Sequence, residues 1–263
     1  MPAPPEPITT TWQTATVAAV TDETRRARTL RLRLATPTPH LAGQHYVFRL
    51  TAPDGYTASR SYSIASAPGS PELDFTVERL EDGEVSTFLH DVVRPGDELE
   101  VRGPLGGWFV WDGTTPALLV GGGSGVVPLM AMLRLARATG RRDLVRLVVS
   151  VRSPDDLLYA NELPGPESTV VHSRRAPDGE ARRPGRLTAA DLPLTPDLAA
   201  VTAYVCGSTG FADAATNLLV DRGVPADAIR VERFGPTGIL RIAGETTGRL
   251  SRNRPILDGR RSP

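Results

Sequence analysis

Along the first hundred residues apolar and polar positions alternate as they do in strands with one face in a core and the other in water. Leu30, Leu32 and Leu34 point one way, while Arg31 and Arg33 point the other. The same period recurs over 14–20, 29–34, 45–50, 60–65, 73–79 and 98–102. Turn-forming triplets such as Pro53-Asp54-Gly55 and Pro95-Gly96-Asp97 separate these runs. Six short antiparallel strands predict a small all-β barrel. One helix interrupts it, because Val85, Phe88, Leu89 and Val92 recur at i, i+3, i+4 and i+7.

After Asp112 the period changes. Wholly apolar runs alternate with helical patterns: strand 117–120, helix 128–139, strand 144–151, helix 155–163, strand 169–172, strand 203–206, helix 211–222 and strand 229–234. Buried strands alternating with helices predict an α/β doubly wound parallel sheet. The expected boundary lies near 113–116, giving a barrel unit over 10–113 and an α/β unit over 114–236. Residues 237–263, rich in Arg, Gly and Thr and without periodicity, read as a C-terminal tail.

Composition narrows the function classes. With 263 residues, 40% hydrophobic and 23% charged, the chain is of ordinary globular type and long enough for two domains. Thirty basic residues balance thirty acidic ones, which argues against a nucleic-acid footprint. All thirty bases are arginine, so a Schiff-base lysine is excluded. The single cysteine, Cys206, excludes an intramolecular disulfide and a four-thiolate iron–sulfur cluster within these residues. The Pro-rich N-terminus lacks the basic and apolar regions of a secretory signal, and no apolar run approaches eighteen residues. The expected address is cytoplasmic, with no membrane partner.

Two motifs suggest chemistry. Gly121-Gly122-Gly123-Ser124-Gly125 follows an apolar strand and opens an apolar helix, the context in which backbone N–H groups hold phosphate; it also fits a plain sharp turn. Arg60-Ser61-Tyr62-Ser63 lies on a predicted strand whose alternation places Arg60 and Tyr62 on one face. A guanidinium beside an aromatic ring suits a pyrophosphate joined to a planar ring system, and equally a surface Arg beside a core Tyr.

Together with Gly43-Gln44, Gly83-Glu84-Val85-Ser86, Gly103-Pro104-Leu105-Gly106 and Cys206-Gly207-Ser208, these motifs stand in an order that resembles the ferredoxin NADP reductase superfamily over residues 12–236. The resemblance implies an FAD-binding barrel followed by a nicotinamide-binding domain, in a form without an iron–sulfur domain. It implies that Arg60 meets the FAD pyrophosphate, Ser61 is among the cofactor-binding residues, Tyr62 packs on the isoalloxazine, and Ser63 hydrogen-bonds near flavin N5. Gly83, Val85 and Ser86 would serve the same pyrophosphate from a helix start. Gly122, Gly123, Ser124 and Gly125 would hold the nicotinamide coenzyme, and Cys206 and Gly207 would lie beside its reacting ring. Ser63 and Cys206 are the expected catalytic positions. Glu232-Arg233-Phe234-Gly235 resembles the segment that reaches the flavin from the nicotinamide side, although the chain continues past Phe234, where plant-type relatives end in a stacking Tyr.

Ser173, Arg174 and Arg175 close a strand where dinucleotide folds recognise the adenosine ribose. A hydroxyl and two guanidiniums, in place of a carboxylate, predict NADPH over NADH. The implied function is an FAD-dependent reductase that takes hydride from NADPH and passes electrons to a separate carrier: ferredoxin, flavodoxin, a haem oxygenase or a molybdenum oxidoreductase. The rival reading is a module that binds FAD or a nucleotide for sensing or assembly without turnover.

Overall fold

The computed structural model describes residues 11–193 and 201–235. The expected tail over 237–263 and almost all of the N-terminal segment read for a signal lie outside these residues. The first half is a six-stranded antiparallel sheet built from β1 (Trp12–Thr24), β2 (Ala27–Leu34), β3 (His45–Thr51), β4 (Thr57–Ser63), β5 (Leu73–Glu78) and β6 (Glu98–Leu105), in the order β4-β3-β6-β1-β2-β5. A bridge between Ile64 and Phe75 joins the two edges, so the sheet closes on itself. The alternation along β2 is the one the sequence predicts: Leu30, Leu32 and Leu34 are buried, while Arg31 and Arg33 face outward to Asp74 and Glu72 at 2.8 and 2.6 Å. Inside, Phe48 packs edge-on to Phe75 and Tyr62, with ring centroids 5.0 and 5.1 Å apart. Helix α1 (Glu84–Asp91) plugs one end of the barrel through Val85 and Leu89.

The second half is a five-stranded parallel sheet of β7 (Ala117–Gly122), β8 (Val145–Val151), β9 (Ser168–His172), β10 (Thr202–Ser208) and β11 (Ile229–Phe234), in the order β11-β10-β7-β8-β9. Helices α2 (Val126–Ala138) and α3 (Thr209–Asp221) follow β7 and β10. From β7 the chain moves outward to β8 and β9, then returns to the other side of β7 with β10. The crevice between the carboxyl ends of β7 and β10 is therefore a topological switch point, where open α/β sheets bind ligands.

The helix predicted over 155–163 does not form. The chain makes one 3-10 turn at Pro154–Asp156 and then an irregular turn in which Tyr159 takes a left-handed φ of 57°. Four apolar side chains, Leu157, Leu158, Tyr159 and Leu163, are all buried there. Barrel groups replace the local helical bonds: the Tyr159 N–H donates to Glu23 at 3.0 Å, and its hydroxyl lies 2.5 Å from the Thr76 hydroxyl. Tertiary hydrogen bonds have overridden a local helical pattern. The segment thus ties the parallel sheet to the barrel, alongside an apolar seam in which Ala27, Ala42, Ala65, Phe109 and Trp111 join the core under α2.

Candidate functional site

A cleft of about 890 Å³ opens between the two sheets. Its barrel wall is β4, an edge strand, so both faces of that strand and its backbone border the opening. All four residues Arg60, Ser61, Tyr62 and Ser63 line it. Tyr62 is half-buried on Phe48, Ser63 is buried, and the Arg60 guanidinium is exposed, bonded only to the neighbouring Ser59 carbonyl at 2.7 Å among the described residues. Gly83, Val85 and Ser86 line the cleft from the start of α1. No side chain caps this helix, so the N–H groups of its first turn remain free for an anion. The Ser86 hydroxyl is already engaged: it accepts from the Leu80 N–H at 3.2 Å and donates to the Gly83 carbonyl at 3.1 Å. What this helix start offers an anion is therefore backbone N–H, with Ser86 shaping the turn.

The opposite wall is the switch point. Gly122, Gly123 and Ser124 line the cleft, and the 3-10 turn they open is also uncapped. Gly123 has a left-handed φ of 55°, and a Cβ built on it would meet no atom within 4 Å, so the turn presents bare backbone to open space. Gly122 has a different reason: a Cβ there would fall 2.5 Å from the Phe211 ring, which packs flat on this turn and on Gly207. Phe211 and Ser208, its N-cap, both reach the cleft. Ser173 and Phe234 line it as well.

Five expected site residues are not part of the lining: Gly125, Arg174, Arg175, Cys206 and Gly207. Gly125, Cys206 and Gly207 lie directly beneath it, where a Cβ on Gly125 would strike the Cys206 carbonyl at 2.2 Å. Cys206 is fully buried, and burial pushes its thiol well above the ordinary range, so it is a packed neutral thiol. Arg175 pairs with Asp155 at the surface, whereas the Arg174 side chain makes no hydrogen bond among the described residues. Two guanidiniums that line the cleft carry no motif in the sequence reading, Arg26 after β1 and Arg152 after β8, and Arg233 on β11, part of the segment 232–235, lines it too. Arg152 had a usable signal, since it follows the carboxyl end of a parallel strand as Ser173 does. His45, on β3, also lines the cleft; burial lowers its imidazole pKa, which favours a neutral ring.

In the sequence Glu232 stands out only as part of the segment 232–235. It pairs in register with Cys206 across β10 and β11, and burial alone raises its carboxyl to about 7. Because its folded pKa lies above that of the unfolded chain, its contribution to stability is full below about pH 4.5 and is lost as pH rises through 7. Glu232→Gln is expected to remove that loss, on the order of 2–3 kcal/mol at pH 8.5. Thermal unfolding at pH 4 and 8.5 checks this: the variant should match the parent at the lower pH and gain on it at the higher, and equal pH profiles would show that Glu232 is already charged and solvated.

Two guanidinium-flanked, uncapped helix starts facing each other across one cleft suit a ligand, or two adjoining ligands, carrying a phosphate group at each wall. Comparison with known proteins agrees. Residues 14–110 match the oxidoreductase FAD-binding domain, and residues 119–217 match the oxidoreductase NAD-binding domain. The chain is 31% identical over 233 residues to the ferredoxin–NAD(P)(+) reductase component of the naphthalene 1,2-dioxygenase/salicylate 5-hydroxylase systems of a Ralstonia species, covering 85% of this chain and 69% of that one. It belongs to the ferredoxin reductase-like superfamily.

Among solved structures, an Amycolatopsis cytochrome P450 reductase superposes with a TM-score of 0.70 at 30% identity, covering 86% of this chain and 71% of the other. The flavohaem-like FAD/NAD-binding domain of a nitric oxide dioxygenase from Vibrio cholerae shares the fold, with a TM-score of 0.75 at 24% identity over 85% of this chain and 99% of that one. The two walls of the cleft thus belong to the FAD-binding and the NAD(P)-binding units of this superfamily. No helix among the described residues is long and apolar enough to cross a membrane.

Proposed function

We propose that the chain is a cytoplasmic reductase that takes electrons from NADPH through FAD and delivers them one at a time to a separate carrier or oxygenase component. The observation that supports this most is the single cleft whose two walls are an FAD-type barrel edge and a nicotinamide-type switch point. FAD, when bound, supplies what no side chain here can, because it accepts two electrons as hydride and yields them singly. The residues over 10–113 would hold it: Arg60 and the first turn of α1 neutralise the pyrophosphate, Tyr62 offers a flat face, and Ser63 offers a hydroxyl beside the ring. Those over 114–236 would hold NADPH on the Gly122–Ser124 turn, with Arg152 and Ser173 beyond it and Phe234 at the reacting end. Cys206 and Gly207 keep the floor under that end narrow and dry. No titrating side chain is required for hydride transfer, so the residues act by orientation and charge.

The relatives' names, those of reductase components of oxygenase systems, support a protein partner as acceptor. One thiol cannot build a four-cysteine cluster in these residues, so the one-electron relay must lie in another polypeptide segment or protein. With NADPH, the chain should reduce ferricyanide directly and reduce cytochrome c only after an iron–sulfur or flavodoxin carrier is added. Equally fast cytochrome c reduction without a carrier would contradict the dependence.

Coenzyme choice turns on the end of β9. Ser173 lies in the cleft and the Arg174 guanidinium beside it has no partner among the described residues, while Arg175 is held by Asp155. Arg174→Ala is expected to lower kcat/KM for NADPH about tenfold or more and leave NADH nearly unchanged, because only NADPH carries the 2′-phosphate. Arg175→Ala should act weakly. An unchanged NADPH to NADH ratio in the double variant would exclude both arginines from coenzyme choice.

A further inference from the structure

Tyr159 is buried at the seam between the two units and is the one non-glycine residue with a left-handed φ among the described residues. An L side chain in that conformation is uncommon and is kept only where its surroundings over-determine it. The surroundings here form a closed ring of hydrogen bonds. Glu23 accepts the Tyr159 N–H at 3.0 Å on one oxygen and the Thr29 hydroxyl at 2.7 Å on the other. With its proton committed to Glu23, Thr29 must accept from Thr76 at 2.7 Å, and Thr76 must accept from the Tyr159 hydroxyl at 2.5 Å. Each hydroxyl has one proton, so every donor direction follows from the carboxylate at the end. Arg134 lies over the Tyr159 ring at 4.9 Å and donates to the barrel carbonyl of Ala65 at 3.0 Å. Thr76 and Leu158, one residue before Tyr159, both line the cleft, whereas Tyr159 itself does not.

We propose that Tyr159 is a positioning residue: its buried donor chain through Thr76 and Thr29 to Glu23 locks the angle between the barrel and the parallel sheet, and with it the approach of the nicotinamide to the flavin. Ordinary packing of the seam would hold the units together, but a directed ring of short hydrogen bonds across it fixes one geometry. Small displacements matter because hydride transfer depends on sub-ångström alignment.

The proposal rests on the reductase reading for its kinetic part only. Tyr159→Phe keeps the ring and its Arg134 contact and removes the hydroxyl. In the FAD-loaded protein, anaerobic stopped-flow reduction should show the limiting rate falling about tenfold, with the apparent Kd for NADPH and the FAD content within about twofold of the parent. Thr29→Val, which cuts the chain at a residue that does not itself line the cleft, should do the same, and Thr29→Ser should keep the parent rate. A second readout needs no turnover: amide hydrogen exchange over 157–163 and 23–29 should accelerate together in Tyr159→Phe and Thr29→Val and return to the parent level in Thr29→Ser. Unchanged limiting rates, or a loss carried by Kd alone, would overturn the positioning role. Exchange that rises at 157–163 without 23–29 would show that no latch joins the units. A parent flavin that NADPH does not reduce would sink the reductase reading, while the exchange data would still decide whether the latch exists.

Discussion

Arg60→Ala is expected to weaken FAD binding by about 10- to 150-fold, the equivalent of one lost charged hydrogen-bond contact of roughly 1.5–3 kcal/mol. The guanidinium lines the cleft, is exposed, and among the described residues is anchored only through the adjacent Ser59 carbonyl, which leaves its outer donors for a phosphate. Its removal leaves Phe48 and Tyr62 packed as before, and the barrel should unfold at an unchanged temperature. Titrating FAD into the apoprotein and following flavin fluorescence measures the affinity. Parent-like affinity would place the pyrophosphate elsewhere, with the uncapped start of α1 and Arg26 as the remaining cations and donors on that wall.

Gly125→Ala should be the most damaging single methyl group in the second unit. Its Cβ would lie 2.2 Å from the Cys206 carbonyl oxygen, 2.4 Å from the carbonyl carbon and 2.6 Å from the Gly207 nitrogen. These are backbone atoms of β10, which is hydrogen-bonded on both sides to β7 and β11, so no flexible side chain can yield. A cost of about 3 kcal/mol follows from forced overpacking, equivalent to a fall in Tm of roughly 6–12 °C for a chain of this size. Gly210→Ala is the control, since a Cβ there meets nothing within 4 Å and the residue sits in the first turn of α3. It should be neutral or slightly stabilising. If both substitutions were equally mild, the close packing of the Gly-rich turn on the Cys206 strand would be wrong.

The legible parts of this molecule are those where one local rule decides. Alternation at Leu30, Leu32 and Leu34 gave the barrel face, and the run from Ala117 to Val120 gave a buried parallel strand, because burial on one or two faces writes itself directly into the period. Glycines 121, 122, 123 and 125 mark the switch point, since both phosphate approach and tight packing demand the absence of a Cβ there. What escaped the sequence was set by partners far along the chain. The period over 155–163 is helical, yet Glu23 and Thr76, 136 and 83 residues away, hold Tyr159 in a turn. Glu232 carries no local sign of its raised pKa, which comes from burial beside Cys206. Nothing local distinguishes Arg175 from Arg174; the difference is Asp155, twenty residues away, which pairs with Arg175.

If one cleft joins an FAD site to an NADPH site for electron transfer, NADPH must reduce the bound flavin. An anaerobic absorption titration of the FAD-reconstituted chain with NADPH tests it most directly. One FAD should bind per chain, and its oxidised absorbance should disappear at one NADPH per flavin. A flavin that binds but stays oxidised under excess NADPH would contradict it and leave a binding module in its place.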